Sequence, residues 1–178
     1  MSEFLKMEEG KCYFITFSVV NWLDVFVRLE YSDILVNSIQ YCQQHKGLEI
    51  YAYCIMPSHV HMIASTPNKL GAILRDLKKF TSKEIVYAIK NNPRESKREL
   101  FLGCFRNEAM KSYRHKNYCF WQNTNYPVEL YSDKFYQQKE MYIHSNPVKE
   151  GLVARPDLYR LSSACEDSPI KVLSWYGF

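Results

Sequence analysis

The chain has 178 residues, of which 47% are hydrophobic and 15% aromatic, and a formal net charge of +4. That length and apolar content suit a packed globular protein and exclude a disordered or low-complexity one. The mild excess of base favours a polyanionic partner, and no apolar run approaches the roughly 20 residues of a membrane-spanning helix.

Cys12 to Val20 reads as a strand, with Tyr13, Ile15 and Phe17 on one face and Phe14, Thr16 and Ser18 on the other. Trp22 to Leu29 fits neither period. Ser32 to Lys46 carries Ile34, Leu35, Ile39 and Cys42 at helical spacing, and Gly47 is a plausible stop. Leu48 to Met56 and Val60 to Ser65 read as two strands joined by a tight turn at Pro57-Ser58. Leu70 to Lys90 is a helix with an apolar stripe of Ile73, Leu77 and Phe80. Asn91-Asn92-Pro93 breaks it, and Glu95 to Met110 continues as a third helix. Lys111 to Asn125 is polar and aromatic without a clear period, and Val128 to Tyr131 suits a short strand. Ser132 is placed to cap a helix from Asp133 to about Ser145, which Asn146-Pro147 is expected to end.

This order predicts an α+β fold: an antiparallel sheet with helices packed on one face. No linker divides the chain, so residues 1–178 are expected to form a single domain, with 153–178 as a C-terminal extension. The six cysteines, Cys12, Cys42, Cys54, Cys104, Cys119 and Cys165, include no C-x-x-C pair. A disulfide framework or zinc ribbon is therefore not expected, and a reducing cytoplasm fits. Met1 to Lys11 is polar and acidic, without the apolar core of a signal peptide.

Three segments carry candidate chemistry. In Tyr53-Cys54-Ile55-Met56-Pro57-Ser58-His59-Val60-His61 two imidazoles flank one apolar residue. On a strand, His59 and His61 share a face about 7 Å apart while Val60 enters the core. Such a pair is either a polar edge of a half-buried strand or two ligands of one divalent ion with open positions. In Gln138 to Pro147, the residues Gln138, Tyr142 and Asn146 share a helix face at spacings of four. Tyr142 is either a packing aromatic, one of 14 tyrosines, or a nucleophile toward phosphorus, with the Asn146 amide as a further metal ligand. Arg75, Lys78, Lys79 and Lys83 recur at spacings of three and four, with Asp76 and Glu84 as the main acids nearby. They form a solvated face or a track for phosphates.

Together these motifs resemble the HUH single-strand DNA endonucleases, and within them the REP-associated tyrosine transposases, relatives of the small single-strand insertion-sequence transposases. Tyr53 to His61 resembles their histidine signature, with Ser58 where they commonly carry Asn. Ile73 to Ser82 resembles their basic helix, Phe120-Trp121-Gln122 their aromatic-Trp-Gln step, and Tyr142 to Val153 the segment bearing their nucleophile. The resemblance runs from Tyr13 to about Ser163. It implies a ferredoxin-like antiparallel sheet and a Mg²⁺ or Mn²⁺ ion held by His59, His61 and Asn146. It implies Tyr142 as the nucleophile of a strand-cleaving and rejoining enzyme that acts through a 5′-phosphotyrosine intermediate. Unpaired DNA is then expected to stack on Phe120 or Trp121, with Arg75, Lys78, Lys79 and Lys83 on phosphates. The expected partner is single-stranded or hairpin DNA. A dimer, as in the insertion-sequence relatives, and a monomer whose longer tail holds the tyrosine helix on its own site both fit. Two rivals stand beside this enzyme: a non-catalytic hairpin-binding regulator on the same fold, and a zinc protein using Cys54, His59 and His61.

Overall fold

The computed structural model describes residues 7–111 and 117–176. Four strands, β1 (Tyr13–Ser18), β2 (Glu49–Ile55), β3 (His59–Ser65) and β4 (Val128–Glu129), form one antiparallel sheet in the order β2-β3-β1-β4. Helices α1 (Leu29–Lys46), α2 (Leu70–Asn91), α3 (Arg98–Met110) and α4 (Asp133–Lys149) complete the fold. With α1 linking β1 to β2 and α2 following the β2–β3 hairpin, this is the split β-α-β arrangement of ferredoxin-like proteins, as the motif resemblance implies.

Both faces of the sheet are buried, which sets where each strand residue goes. Tyr13, Ile15, Phe17, Val60 and Met62 pack on one face with Leu35, Ile39, Leu74, Leu77, Phe101 and Phe105 of α1, α2 and α3. Phe14, Ala52, Cys54 and Ile63 face the other way, against Tyr136 and Ile143 of α4. The expectation of helices on one face thus holds for α1 to α3, while α4 lies across the opposite face. Alternation in β2 breaks at a register shift between Ile50 and Ala52, so Ile50 and Tyr53 enter the same core.

The helices depart from the predicted stripes at particular residues. Phe80, placed in the α2 stripe, is 55% exposed; Leu70, Ile73, Leu74, Leu77, Thr81 and Ile85 make the buried face instead. Gly47 ends α1 at φ 68°, a left-handed conformation in which its N–H reaches the Cys42 carbonyl. Ser132 caps α4 as expected, its Oγ accepting from the Phe135 N–H at 3.3 Å. Pro147, however, does not end α4, which continues to Lys149. Proline removes only its own N–H donor, and the helix closes past it through Glu150 N–H to the Asn146 carbonyl at 3.0 Å. Asn146 is therefore a helical residue.

The segment after α4 contains a short 3₁₀ turn (Pro156–Leu158) and then runs beside β2, the outer strand of the sheet. Ile55 N–H bonds to the Leu161 carbonyl at 2.8 Å, Ser163 N–H to Tyr53 at 3.0 Å and Leu173 N–H to Ile50 at 2.8 Å. This irregular pairing covers an edge that would otherwise offer open backbone groups.

Candidate active site

The tight turn before His59 is fixed from outside the hairpin. The Pro57 carbonyl accepts from Phe26 N–H at 2.9 Å and the Ser58 carbonyl from Val19 N–H at 2.8 Å. His59 and His61 then leave the same face of β3, opposite Ser18 and Thr16 of β1. Their rings converge to 4.7 Å between centroids, closer than the strand repeat alone dictates. The face is roofed by α4 rather than open to solvent, and His61 is only 5% exposed.

The α4 roof brings Tyr142 to the pair. Its ring meets His61 edge-on at 5.2 Å and Phe14 at 5.8 Å, yet 40% of the residue is exposed. Asn146, one turn on, is buried and donates from Nδ2 to the Tyr142 carbonyl at 2.8 Å, which orients the amide oxygen as the free acceptor. His59, His61, Tyr142 and Asn146, far apart in sequence, therefore share one site.

The donor set fits a divalent ion. Thr16 Oγ1 lies 2.8 Å from His61 Nδ1 and Ser58 Oγ 3.2 Å from His59 Nδ1. With each Nδ1 engaged by a hydroxyl, Nε2 is the nitrogen each ring has left for a ligand. Burial lowers the pKa of both rings, that of His61 to about 3 with help from His59 and Lys139. Both imidazoles are thus neutral near pH 7, the ligating form. Ser18, 1% exposed and paired across the strands with His59, has a buried hydroxyl without a hydrogen-bond partner among the described residues. Such an orphan beside the histidines suits a site completed by an ion and its water.

The zinc alternative does not fit. The Cys54 thiol lies against Met56 Sδ at 3.5 Å, and burial pushes its pKa up to about 12. Among the described residues no three His, Cys, Asp or Glu side chains gather to hold a metal.

Positive charge flanks the tyrosine. Lys139 Nζ lies 4.8 Å from the Phe14 ring centre and 6.0 Å from that of Tyr142, and Lys149 Nζ lies 5.3 Å from Tyr142. Sequence reasoning missed both lysines. The signal was present as the 3-4-3 spacing of Lys139, Tyr142, Asn146 and Lys149, which puts all four on one side of α4.

The predicted DNA contacts divide. Arg75, Lys79 and Lys83 stand exposed on α2, Arg75 beside Asp76 at 3.4 Å and Lys83 beside Glu84 at 3.6 Å. They line a groove with Tyr87, Lys90 and Tyr118. Because α2 covers the other face of the sheet, this groove lies across the sheet from the histidines. Lys78 borders the same groove but is only partly exposed, and its ammonium is engaged within the protein. Its ammonium donates to the Gln122 carbonyl at 2.7 Å, the Asn125 Oδ1 at 2.9 Å and the Thr124 carbonyl at 3.4 Å. It is a strut for the loop before β4.

Phe120 and Trp121 are likewise not available for stacking. They are 1% and 4% exposed, packed against Phe26, Phe17 and Phe105, and Trp121 Nε1 donates to Thr81 Oγ1 at 2.9 Å. Both border the groove beside the α2 cations, but too little of either ring is exposed there for a base to stack on it. Part of the aromatic Lys111 to Asn125 stretch, residues 112–116, lies outside the described residues, as do residues 1–6 of the polar N-terminus.

A histidine pair on a central antiparallel strand thus lies under a crossing helix that carries Tyr142. The family model described as IS200-like transposase matches residues 24–105, a span that contains both histidines and all of α2 but not Tyr142. A solved REP-associated tyrosine transposase, bound in that structure to a REP hairpin, shares the fold with a TM-score of 0.67. Its sequence is 22% identical, and the match covers 92% of this chain and 82% of the other. No curated protein sequence matches the chain. The resemblance drawn from the motifs is thereby borne out: the IS200-like transposase model matches just under half of the chain, and the antiparallel fold is shared with the solved transposase. No helix among the described residues is long and apolar enough to cross a membrane.

Proposed function

We propose that the protein is a metal-dependent enzyme that nicks and rejoins single-stranded DNA bearing hairpins or repeats, with Tyr142 as nucleophile. The observation that carries this is the convergence of His59, His61 and Tyr142, at 4.7 and 5.2 Å between ring centres, at one half-open site. Binding DNA alone needs none of these three.

His59, His61 and the Asn146 amide oxygen would hold Mg²⁺ or Mn²⁺, which when bound withdraws charge from the scissile phosphate. The Tyr142 oxygen bonds to phosphorus and the bond from phosphorus to the 3′-oxygen breaks. The phenolic proton leaves to solvent, and the departing 3′-oxygen takes one up. The product is a 5′-phosphotyrosine link and a free 3′-hydroxyl, and the reverse steps join a second strand without ATP. Lys139 and Lys149 add fixed positive charge beside the reacting phosphate.

Arg75, Lys79 and Lys83 hold the phosphates of the hairpin in the groove of α2. Since that groove lies across the sheet from Tyr142, unpaired DNA passes round the sheet to be cut. The C-terminal segment supports action of Tyr142 within its own chain. Ser163 Oγ contacts His144 of α4 at 2.9 Å and Tyr53 N of β2 at 2.9 Å. Trp175 stacks on Tyr136 at 4.2 Å. These contacts strap α4 onto β2, the strand paired with the histidine-bearing β3. The protein works in the cytoplasm, where its six unpaired thiols stay reduced.

The test is strand cleavage of labelled single-stranded hairpins, taken from repeats near the chain's own gene, with Mg²⁺ or Mn²⁺. Cleavage by the wild type and none by His59→Ala/His61→Ala supports the proposal. Equal cleavage by both rejects the metal site. Tight hairpin binding that needs no metal and leads to no cleavage would favour a non-catalytic regulator.

A further inference from the structure

The tyrosine site needs something to hold an unpaired base while its phosphate is attacked, and Phe120 and Trp121 are buried. An exposed aromatic does stand at the site. Trp22 is 56% exposed and meets the His59 ring edge-on at 5.3 Å between centroids. The backbone that presents it is strained: Asn21 has φ 54° and Trp22 φ 53°. Asparagine tolerates the left-handed region, but a bulky aromatic seldom adopts it.

The turn is over-determined by its neighbours. Val20 N–H bonds to the Phe120 carbonyl at 2.9 Å, Val19 N–H to the Ser58 carbonyl at 2.8 Å and Trp22 N–H to the Val19 carbonyl at 3.1 Å. The bonds that fix the histidine turn therefore also fix Trp22, holding it to the same frame as His59. A large apolar ring kept more than half in solvent, at a cost in backbone strain, contributes little to the core. Strain of this kind gathers where a side chain must be presented.

We infer that Trp22 is the stacking platform for an unpaired DNA base next to the linkage that Tyr142 cleaves. This rests on the nuclease reading above. A flat π face beside a phosphate-binding centre suits any base, since every base offers a π face in return. Stacking there fixes the sugar-phosphate on one side of the cut and holds phosphorus in line with the tyrosine.

The experiment uses the full chain with Mn²⁺ and hairpin oligonucleotides whose cleaved linkage has been mapped with the wild type. Trp22→Gly removes the ring and relieves the left-handed strain, so the variant keeps its fold; Trp22→Phe keeps a smaller π face. Expected is a loss of covalent adduct of roughly 10- to 100-fold in Trp22→Gly, with most activity retained in Trp22→Phe. An abasic site at one of the two nucleotides flanking the cut should slow the wild type to the same degree and leave Trp22→Gly no slower. If Trp22→Gly is as fast as wild type, or is slowed equally with either flank abasic, the ring does not hold a base and the inference fails. If the wild type forms no adduct with any hairpin, the nuclease reading itself fails and takes this inference with it.

Discussion

Lys78→Met separates a structural lysine from its exposed neighbours on α2, the proposed phosphate contacts. The ammonium has two short contacts, 2.7 Å to the Gln122 carbonyl and 2.9 Å to Asn125 Oδ1, and a longer one to Thr124. Methionine fills the stem but leaves these half-buried acceptors without their donor. An orphaned acceptor costs about 1–3 kcal/mol, and water recovers part of it at this depth, so the loss is about 2–3 kcal/mol in all. Burial draws the Lys78 pKa from an ordinary 10.5 down to about 8. Below pH 8 both folded and unfolded chains carry the proton. Between pH 8 and 10.5 the unfolded chain holds more protons, so the folded state gains stability as pH rises. The gap between wild type and Lys78→Met should therefore widen over that window, by up to about 3 kcal/mol. Urea unfolding at pH 7 and pH 10 measures both quantities. Hairpin affinity against salt completes the assay: Lys78→Met should keep the wild-type slope, whereas Lys79→Met should lower it by about 0.7–0.9. A Lys78→Met protein that is as stable as wild type but has the reduced salt slope would refute the strut.

Two further outcomes follow from the support around the site. Thr16→Val removes the hydroxyl beside His61 Nδ1 and should weaken Mn²⁺ binding about 10- to 100-fold, measured by titration calorimetry, with hairpin affinity in the absence of metal unchanged. Trp175→Ala removes the ring stacked on Tyr136 and the Nε1–H bond to Asp133 at 3.0 Å, so α4 amides should exchange about 30-fold faster, near 2 kcal/mol, while those of α2 stay as they are.

Much of the frame was legible because the sheet obeys simple periods. Tyr13, Ile15 and Phe17 alternate strictly, and the Pro57-Ser58 turn sets His59 and His61 on the face that Val60 avoids. The 142–146 spacing likewise gave the face of α4, although Pro147 hid that the helix continues, since proline there removes a single donor. Charge pattern alone could not distinguish Lys78 from Lys79, because what differs is the loop of residues 122–125 brought against one of them. Phe120 and Trp121 were misjudged for a related reason: an aromatic in a polar stretch looks available until the core it fills is known. The same period blindness hid Trp22, whose place beside His59 depends on a left-handed turn that no apolar repeat encodes. Nor does any alternation mark the tail that pairs with β2, because its contacts are isolated bridges rather than a ladder.

The central claim is that Tyr142 becomes covalently joined to DNA. Wild type and Tyr142→Phe are incubated with single-stranded hairpin DNA and Mn²⁺, resolved on a denaturing gel, and the retarded band is digested for peptide mass spectrometry. The expected result is an adduct in wild type alone, with the nucleotide mass on the α4 peptide at Tyr142 and a free 3′-hydroxyl on the released strand. An adduct that persists in Tyr142→Phe, or one carried by another residue, would contradict it.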